Sequence, residues 1–478
     1  MYHKKKTKIV ATLGPACETK EVIQKMIQSG VNVFRINFSH ADHESVKSKI
    51  EIIRELNDEL GFHVAILADL QGPKLRVGKM EKGVFLKKGD IFTFTTQKII
   101  GDNLQAYMTY QNFPKDVKVG ENILVDDGKL LFEVTHTNDK DTVVTKVIRG
   151  GKLKSKKGVN LPNTLISLPA LTKKDKIDVS FAVQQEVDWI ALSFVRTADD
   201  VQLLRDFIDN LSTYKIPIIA KIEKPEALVN IAEIIQVADA LMVARGDLGV
   251  EIPMEKVPLI QKKLVRDAKK AHKPVIIATQ MMETMIASLV PTRAEVNDVA
   301  NSIMDGTDAV MLSGETSVGE YPVEVIQKMR SIIESVENSS LISVPKANIR
   351  SITNRFISKT VCHHAVEVAN DIDAKVISTL TNTGYTAFQI SADRPKSMVL
   401  AFTNNQRILT MLNLLWGVKA YYYNKMTTTD ETVIDINQIA KKKGYLSKGD
   451  YVVNLTSMPI RDEGMVNTLR ITQVTTDL

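Results

Sequence analysis

Eight short apolar runs, each ending in a polar or glycine-containing turn, constrain this chain more than any other feature. They cover 9–14, 31–37, 64–69, 189–194, 218–223, 241–247, 275–279 and 309–313. Near-continuous Val, Ile, Ala and Leu suit strands covered on both faces, as in a parallel sheet. Helical periodicity follows most of them, over 18–29, 42–60, 173–185, 199–210, 225–237, 255–270 and 322–337. Eight β-α repeats predict a (β/α)₈ barrel in preference to a doubly wound sheet.

One repeat is interrupted. After the third run, helical periodicity does not resume until about Thr172, and the residues between are rich in Val, Ile, Thr, Gly and Asp. Segments 91–95, 122–125, 129–135 and 142–148 read as antiparallel strands with tight turns. A small all-β domain inserted in a βα loop accounts for them, because such loops lie at the barrel's surface end. Past Val344-Pro345 the pattern restarts. A helix over 355–369 leads into strands at 375–380, 397–402, 418–423, 451–456 and 469–474, a separate α/β domain with an open sheet. The expected division is 1–72 and 171–344 for the barrel, 73–170 for the insertion and 345–478 for the C-terminal domain. A chain of 478 residues accommodates about three domains of roughly 150 residues each.

Composition narrows the setting. The chain is 44% apolar and 25% charged, in the globular range, and no apolar run is long enough to span a bilayer. Its opening is basic and then apolar, but the apolar part, 9–13, breaks at Gly14-Pro15 and is too short for an export signal. Two cysteines, Cys17 and Cys362, make no disulfide framework, so a reduced, cytoplasmic setting is expected. Net charge is +6, spread over short lysine runs of which only 152–157 bears on function. Aromatics are 6% and no basic-aromatic patch stands out, which argues against nucleic-acid binding.

Catalytic groups of a (β/α)₈ barrel gather at the C-terminal ends of its strands. Those ends carry Arg35 to His40, Asp69 to Arg76, Lys221 and Glu223, Arg245 to Asp247, Thr279-Gln280 and Ser313 to Thr316. Strand alternation gives Lys221 and Glu223 one face and Ile222 the other. Glu223 and Asp247, expected on neighbouring strands, can supply two oxygens to one divalent cation, a donor set that suits Mg²⁺. Arg35, Arg76 and Lys221 beside them fit an anionic substrate, and phosphoryl transfer in particular. No zinc-ligand spacing competes, since His363 and His364 are adjacent on a helix, and no Walker-type loop is present.

At this point the sequence resembles pyruvate kinase along essentially its whole length. The resemblance rests on 218–227 (IIAKIEKPEA), 242–251 (MVARGDLGVE), 34–40 (FRINFSH), 278–281, 291–295, 311–316 and 156–160. It implies transfer of a phosphoryl group from phosphoenolpyruvate to ADP, giving pyruvate and ATP. It further implies that Glu223 and Asp247 hold Mg²⁺ or Mn²⁺ and that Lys221 stabilises the phosphoryl group in flight. Arg35 and Arg76 would face the transferring phosphate and the nucleotide, with Asn37 and His40 beside them. Ser193, Phe194 and the amides of Ala244, Arg245, Gly246 and Asp247 would line the substrate pocket. Thr279 matches the threonine linked to proton delivery. The insertion becomes a small β-barrel lid whose Lys157 reaches nucleotide phosphates on closure, excluding water.

Two departures carry information. Members that need K⁺ hold it with an Asn, a Ser, an Asp and a backbone carbonyl, matched here by Asn37, Ser39, Asp69 and Leu70. Leu70, Gln71, Lys74 and Val77, however, resemble the K⁺-independent subgroup, in which the Lys74 ammonium supplies the charge. Activity without K⁺ is therefore expected. In the last domain 379–387 (TLTNTGYTA) resembles the family's effector-phosphate loop, with Thr381, Asn382, Thr383, Gly384 and Thr386 as candidate ligands. Plain helix capping by Thr383 is the competing explanation. The loop 456–464 is acidic at Asp462 and Glu463, which favours a sugar monophosphate over a bisphosphate, or no effector. The resemblance also implies a homotetramer, and with so few residues after the last expected strand the phosphoenolpyruvate-utiliser-like extension of some bacterial members is not expected. Met281, Met282 and Met285 are read as core or interface residues. The competing functions are an enolpyruvate aldolase or mutase and a non-catalytic metabolite sensor.

Overall fold

The computed structural model describes residues 5–39, 41–339, 355–425, 428–458 and 465–475. All eight apolar runs form strands: β1 Lys8–Thr12, β2 Val33–Asn37, β3 Ala65–Asp69, β4 Trp189–Leu192, β5 Ile218–Ile222, β6 Ala240–Ala244, β7 Val275–Ala278 and β8 Ala309–Leu312. Each pairs in parallel with its neighbour in sequence, and β1 closes on β8. The barrel is complete.

Alternation along the strands decides what faces where. Ile9, Phe34, Ile66, Ile190, Ile218 and Leu241 point outward into the core shared with the helices. Val10, Val33, Leu67, Ala191, Ile219 and Met242 point into the barrel. With a repeat of two, the next inward positions toward the C-terminal ends are Thr12, Arg35, Asp69, Ser193 and Lys221. The polar layer at the mouth thus follows from the same parity that fills the interior.

Two local expectations are corrected. The sixth run stops as a strand at Ala244, and Arg245–Glu251 is a short helix, so Asp247 sits in a helical first turn rather than on a strand. The helix expected over 225–237 is two, Pro225–Val229 and Ile231–Val237, parted at Asn230. Beyond β7 the backbone is irregular: Thr279 and Gln280 have positive φ, +70° and +54°, and a 3-10 turn follows at Glu283–Ile286. The next helix runs Arg293–Met304, started by the Thr292 hydroxyl, which accepts from Glu295 N. Met281, Met282 and Met285 are all buried in the barrel's outer core.

Between β3 and the helix Lys173–Gln184 lies the strand-rich insertion, with its own apolar core around Phe92, Phe94, Phe113 and Phe132. Ile91–Thr95, Asn122–Val125, Leu130–Thr137 and Thr142–Arg149 belong to a six-stranded sheet, and Phe85–Leu86 pairs with Gly151–Lys152 in a separate ribbon. The short strands at Gln105–Tyr107 and Val159–Asn160 carry too little pattern to show in sequence.

The C-terminal domain is a five-stranded sheet of β9 Val376–Leu380, β10 Met398–Thr403, β11 Val418–Tyr422, β12 Tyr451–Thr456 and β13 Thr468–Gln473. Its order is β11-β10-β9-β12-β13, parallel except for the last pair. It closes the barrel's floor. Trp189, inside the barrel, donates from Nε1 to Met411 O at 3.1 Å, and the barrel interior and this domain share one apolar cluster.

Candidate active site

Lys221 is the hub of the barrel mouth. Its Nζ lies 3.1 Å from Asp69 Oδ1 and 3.1 Å from Glu223 Oε1, and it donates to Ser193 Oγ at 2.7 Å. Ser193 in turn donates to Leu70 O at 2.7 Å. Arg35 donates from Nε to Asp69 Oδ2 at 2.6 Å and from Nη1 to Thr12 Oγ1 at 3.1 Å. Each Asp69 oxygen thus faces a cation of the chain itself.

These contacts set the charge states. Burial works against the Lys221 charge, but Asp69 and Glu223 outweigh it and hold the ammonium pKa above the ordinary lysine value. Burial would likewise raise Asp69, yet Lys221 and Arg35 keep it below the usual aspartate value. Glu223 goes the other way. Burial raises it, Lys221 opposes, and the negative charge of Asp247 adds to the rise. Glu223 Oε2 accepts from Phe194 N at 2.8 Å. No residue among those described donates a hydrogen bond to the Asp247 carboxylate.

Two facing carboxylates that repel each other, one buried and one without a donor, fit a divalent cation taking oxygen ligands. No group of three or more His, Cys, Asp or Glu is placed to hold a metal among the described residues. A two-carboxylate set matches the habit of Mg²⁺, which draws its other ligands from water and substrate oxygens.

The neighbouring strand ends are held in strained backbone. Thr279 Oγ1 accepts from Gly246 N at 2.7 Å and donates to Ala278 O at 2.6 Å. A β-branched residue in the left-handed region is an outlier of roughly 1–3 kcal/mol, the kind of strain retained where position matters. Phe194, at φ +56°, is a second case. The Arg245 side chain turns away from the mouth: it forms a bidentate pair with Asp298 at 2.7 and 2.8 Å and donates to Thr279 O at 2.8 Å. Only its backbone faces the site, and the Gly246 amide is engaged by Thr279.

A cleft opens between mouth and insertion, lined among others by Lys74, Gly158, Phe194, Lys224, Asp247 and Glu251. Lys74 is exposed there. Arg76 and Lys157 are not drawn into the mouth. Arg76 donates to Lys156 O at 3.0 Å and so braces the basic turn, while Lys157 is paired with Asp126 at 2.7 Å inside the insertion. Asn37 accepts from Ser39 N at 3.1 Å, next to Asp69 and Leu70. His40 lies outside the described residues.

In the candidate effector loop Thr383 does not cap the helix. Gly384, at φ +82°, occupies the N-cap of Tyr385–Ala392, and its amide donates to Thr381 Oγ1 at 2.9 Å. Thr379 and Thr386 share a hydroxyl hydrogen bond of 2.9 Å. The loop 456–464 falls mostly outside the described residues.

Sequence reasoning missed Thr12, Asp298, Asp126 and the buried Lys224–Glu251 pair. Strand parity could have found Thr12. Nothing in sequence links Arg245 to Asp298.

A closed barrel, an inserted β domain and an acid-base-cation layer at the strand ends define a barrel phosphotransferase. Family comparison agrees: residues 4–326 match the barrel domain of pyruvate kinase and 359–472 its alpha/beta domain. The chain is 41% identical over 474 residues to the pyruvate kinase of Geobacillus stearothermophilus, covering 98% of this chain and 80% of that protein. It is 39% identical to that of Clostridium acetobutylicum, covering 98% and 99%. A crystal structure of a pyruvate kinase from Cryptosporidium parvum superposes with a TM-score of 0.90 at 35% identity, covering 98% of this chain and 96% of the other. The chain belongs to the pyruvate kinase family, and is a phosphotransferase that converts phosphoenolpyruvate and ADP to pyruvate and ATP. No helix among the described residues is long and apolar enough to cross a membrane.

Proposed function

We propose a Mg²⁺-dependent, K⁺-independent pyruvate kinase whose chemistry is carried by Lys221. The observation behind it is the contact of Lys221 with Asp69, Glu223 and Ser193 at the mouth, facing Asp247. Glu223 and Asp247 would hold Mg²⁺ or Mn²⁺, which when bound supplies charge neutralisation at the substrate oxygens. Lys221, with Arg35, stabilises the negative charge that builds on the transferring phosphoryl group. Ser193, Phe194, Thr279 and the backbone from Ala244 to Asp247 shape the substrate pocket; the Thr279 hydroxyl, which donates to Ala278 O, or a water beside it would deliver the proton. Arg35, Asn37, His40, Arg76 and Lys157 serve the nucleotide. For Lys157 this requires release from Asp126; both lie in the insertion, so lid movement alone would not part them and the nucleotide phosphates would have to displace the Asp126 carboxylate.

K⁺ independence is supported by two features. Lys74 lines the cleft, and both Asp69 oxygens face cations of the chain, which leaves Asn37, Ser39, Asp69 and Leu70 as a vestigial monovalent-cation site. The segments 1–72, 73–170, 171–344 and 345–478 act as barrel, lid, barrel and regulatory or assembly domain of a cytoplasmic homotetramer. Thr381, Asn382, Thr383, Gly384 and Thr386 are the candidate cradle for a sugar-phosphate effector. ADP-dependent pyruvate formation in tetramethylammonium buffer tests the reading. Full rates with Mg²⁺ alone are expected, and a requirement for added K⁺ would refute it. Sugar phosphates added at sub-saturating phosphoenolpyruvate test the loop; an unchanged half-saturation point rejects it.

A further inference from the structure

A second group of charges is buried at the barrel's floor, away from the mouth. The C-terminal end of the helix Val257–Lys270 and the turn after it face the helix Tyr385–Ala392 and Arg394 of the C-terminal domain. A small cavity between them is lined by Lys269, His272, Phe388, Ser391, Arg394 and Leu415 among others, with room for about one water-sized occupant.

Charge does not balance there. Arg394 is matched: Nη1 lies 2.8 Å from Asp308 Oδ1, Nη2 donates to Gly306 O at 2.7 Å, and the guanidinium stacks on Trp416. The other Asp308 oxygen accepts from Val275 N, and Asp393 is taken by His363 at 3.0 Å. Lys273, which also lines the cavity, donates to Ala238 O at 2.6 Å. Lys269 remains. It is 6% exposed, and its Nζ has no hydrogen-bond or ion-pair partner among the described residues. The ammonium is pressed against Gly306, where an added Cβ would come within 2.6 Å of it.

The neighbours have unused donors as well. His272 is 8% exposed, and neither ring nitrogen forms an aligned hydrogen bond, although the ring approaches the Gln389 backbone. Arg394 Nε is buried and unpaired. A buried ammonium must be paired or lose its proton, because the desolvation penalty is otherwise several kcal/mol. Water satisfies donors but brings no charge.

We propose that this cavity binds a small inorganic anion of about chloride size, held by Lys269, His272 and Arg394 Nε, as a bridge between barrel and C-terminal domain. The space is too small for a sugar phosphate, so the site is separate from the loop 379–387 at the other end of the same helix. Without an anion, burial and then Arg394 push the Lys269 pKa down to about 7, with Asp308 and Asp393 opposing. Burial lowers His272 too, against Asp393, with Lys359 and His363 also near it. Lys269 must be protonated to pair, so anion affinity is full below that value and falls as pH rises through it.

Thermal unfolding of the full chain, in sodium chloride against sodium gluconate at equal ionic strength, tests the site. A saturable rise in Tm with chloride is expected, larger at pH 6.5 than at 8.5, and Lys269→Met should remove it while leaving pyruvate formation intact. Crystals soaked in sodium bromide should show an anomalous peak within hydrogen-bond reach of Lys269 Nζ, a readout that stands even if the variant fails to fold. Equal Tm values in the two salts, a chloride effect that survives in Lys269→Met, or a bromide-free cavity would each overturn the proposal.

Discussion

Lys221 shows how one position inherits its chemistry from strand parity. It is two residues beyond Ile219, which points into the barrel, so it too points inward, at the level where the mouth meets solvent. Replacing it with methionine keeps the stem and removes the charge. The expected result is a fall in kcat of about 10²–10³-fold, with an unchanged circular dichroism spectrum, measured by coupled pyruvate formation. Lys74 makes the complementary test. Lys74→Glu reverses a charge in the cleft, and the variant should be nearly inactive in tetramethylammonium buffer and regain rate with added K⁺. Lys221 was legible in sequence because a period of two assigns its face, and Arg35 and Asp69 because they stand at strand ends. Asp298 was not, because it lies 53 residues from the Arg245 it clamps and no local pattern joins them.

Between elements, the insertion meets the barrel where Arg196 donates to Ile166 O and Leu168 O and at a buried polar group. Asn160 Nδ2, on the insertion's last strand, donates to Glu251 Oε1 at 2.8 Å, and the same oxygen is 2.7 Å from Lys224 Nζ. Glu251 Oε2 is buried without a hydrogen-bond partner among the described residues. Lys224→Ala would leave that carboxylate uncompensated, at a cost of about 3–5 kcal/mol, seen as a lowered first thermal transition. The pair Lys224→Met with Glu251→Leu should recover most of the loss, since removing both charges also removes their desolvation. Where the sequence misled was at element ends. The apolar run 241–247 reads as one strand, but hydrogen bonding to β5 and β7 stops at Ala244, and the next residues turn into helix. That turn carries Asp247, and the Gly246 amide meets Thr279 there.

Across the whole molecule the barrel floor and the C-terminal domain behave as one packed body. Asp188, just before β4, accepts from Ile66 N at 2.7 Å and also from the Thr410 hydroxyl of the C-terminal domain. Burial pushes its pKa from 3.8 up to about 6, against those hydrogen bonds. An acid raised in this way is more readily protonated folded than unfolded, so its ionisation costs stability. The cost is absent below the unfolded value and complete above the folded one. The stability of the native protein relative to Asp188→Asn should therefore decline between pH 3.8 and about 6. The decline is roughly 1–2 kcal/mol after allowance for partial exposure, and is read as the difference between the two Tm profiles.

The sequence by itself determined the barrel, the strand-rich insertion after its third strand, the C-terminal α/β domain and the shared face of Lys221 and Glu223. Those features rest on local periodicity, and apolar patterning must match the period of the element that buries it. Tertiary structure decided what periodicity does not encode. It turned Arg245 toward Asp298, parked Lys157 on Asp126, joined Lys224, Glu251 and Asn160, and enclosed Lys269 without a partner. Each of these is a meeting of side chains distant in sequence, and which charges meet depends on how finished elements pack.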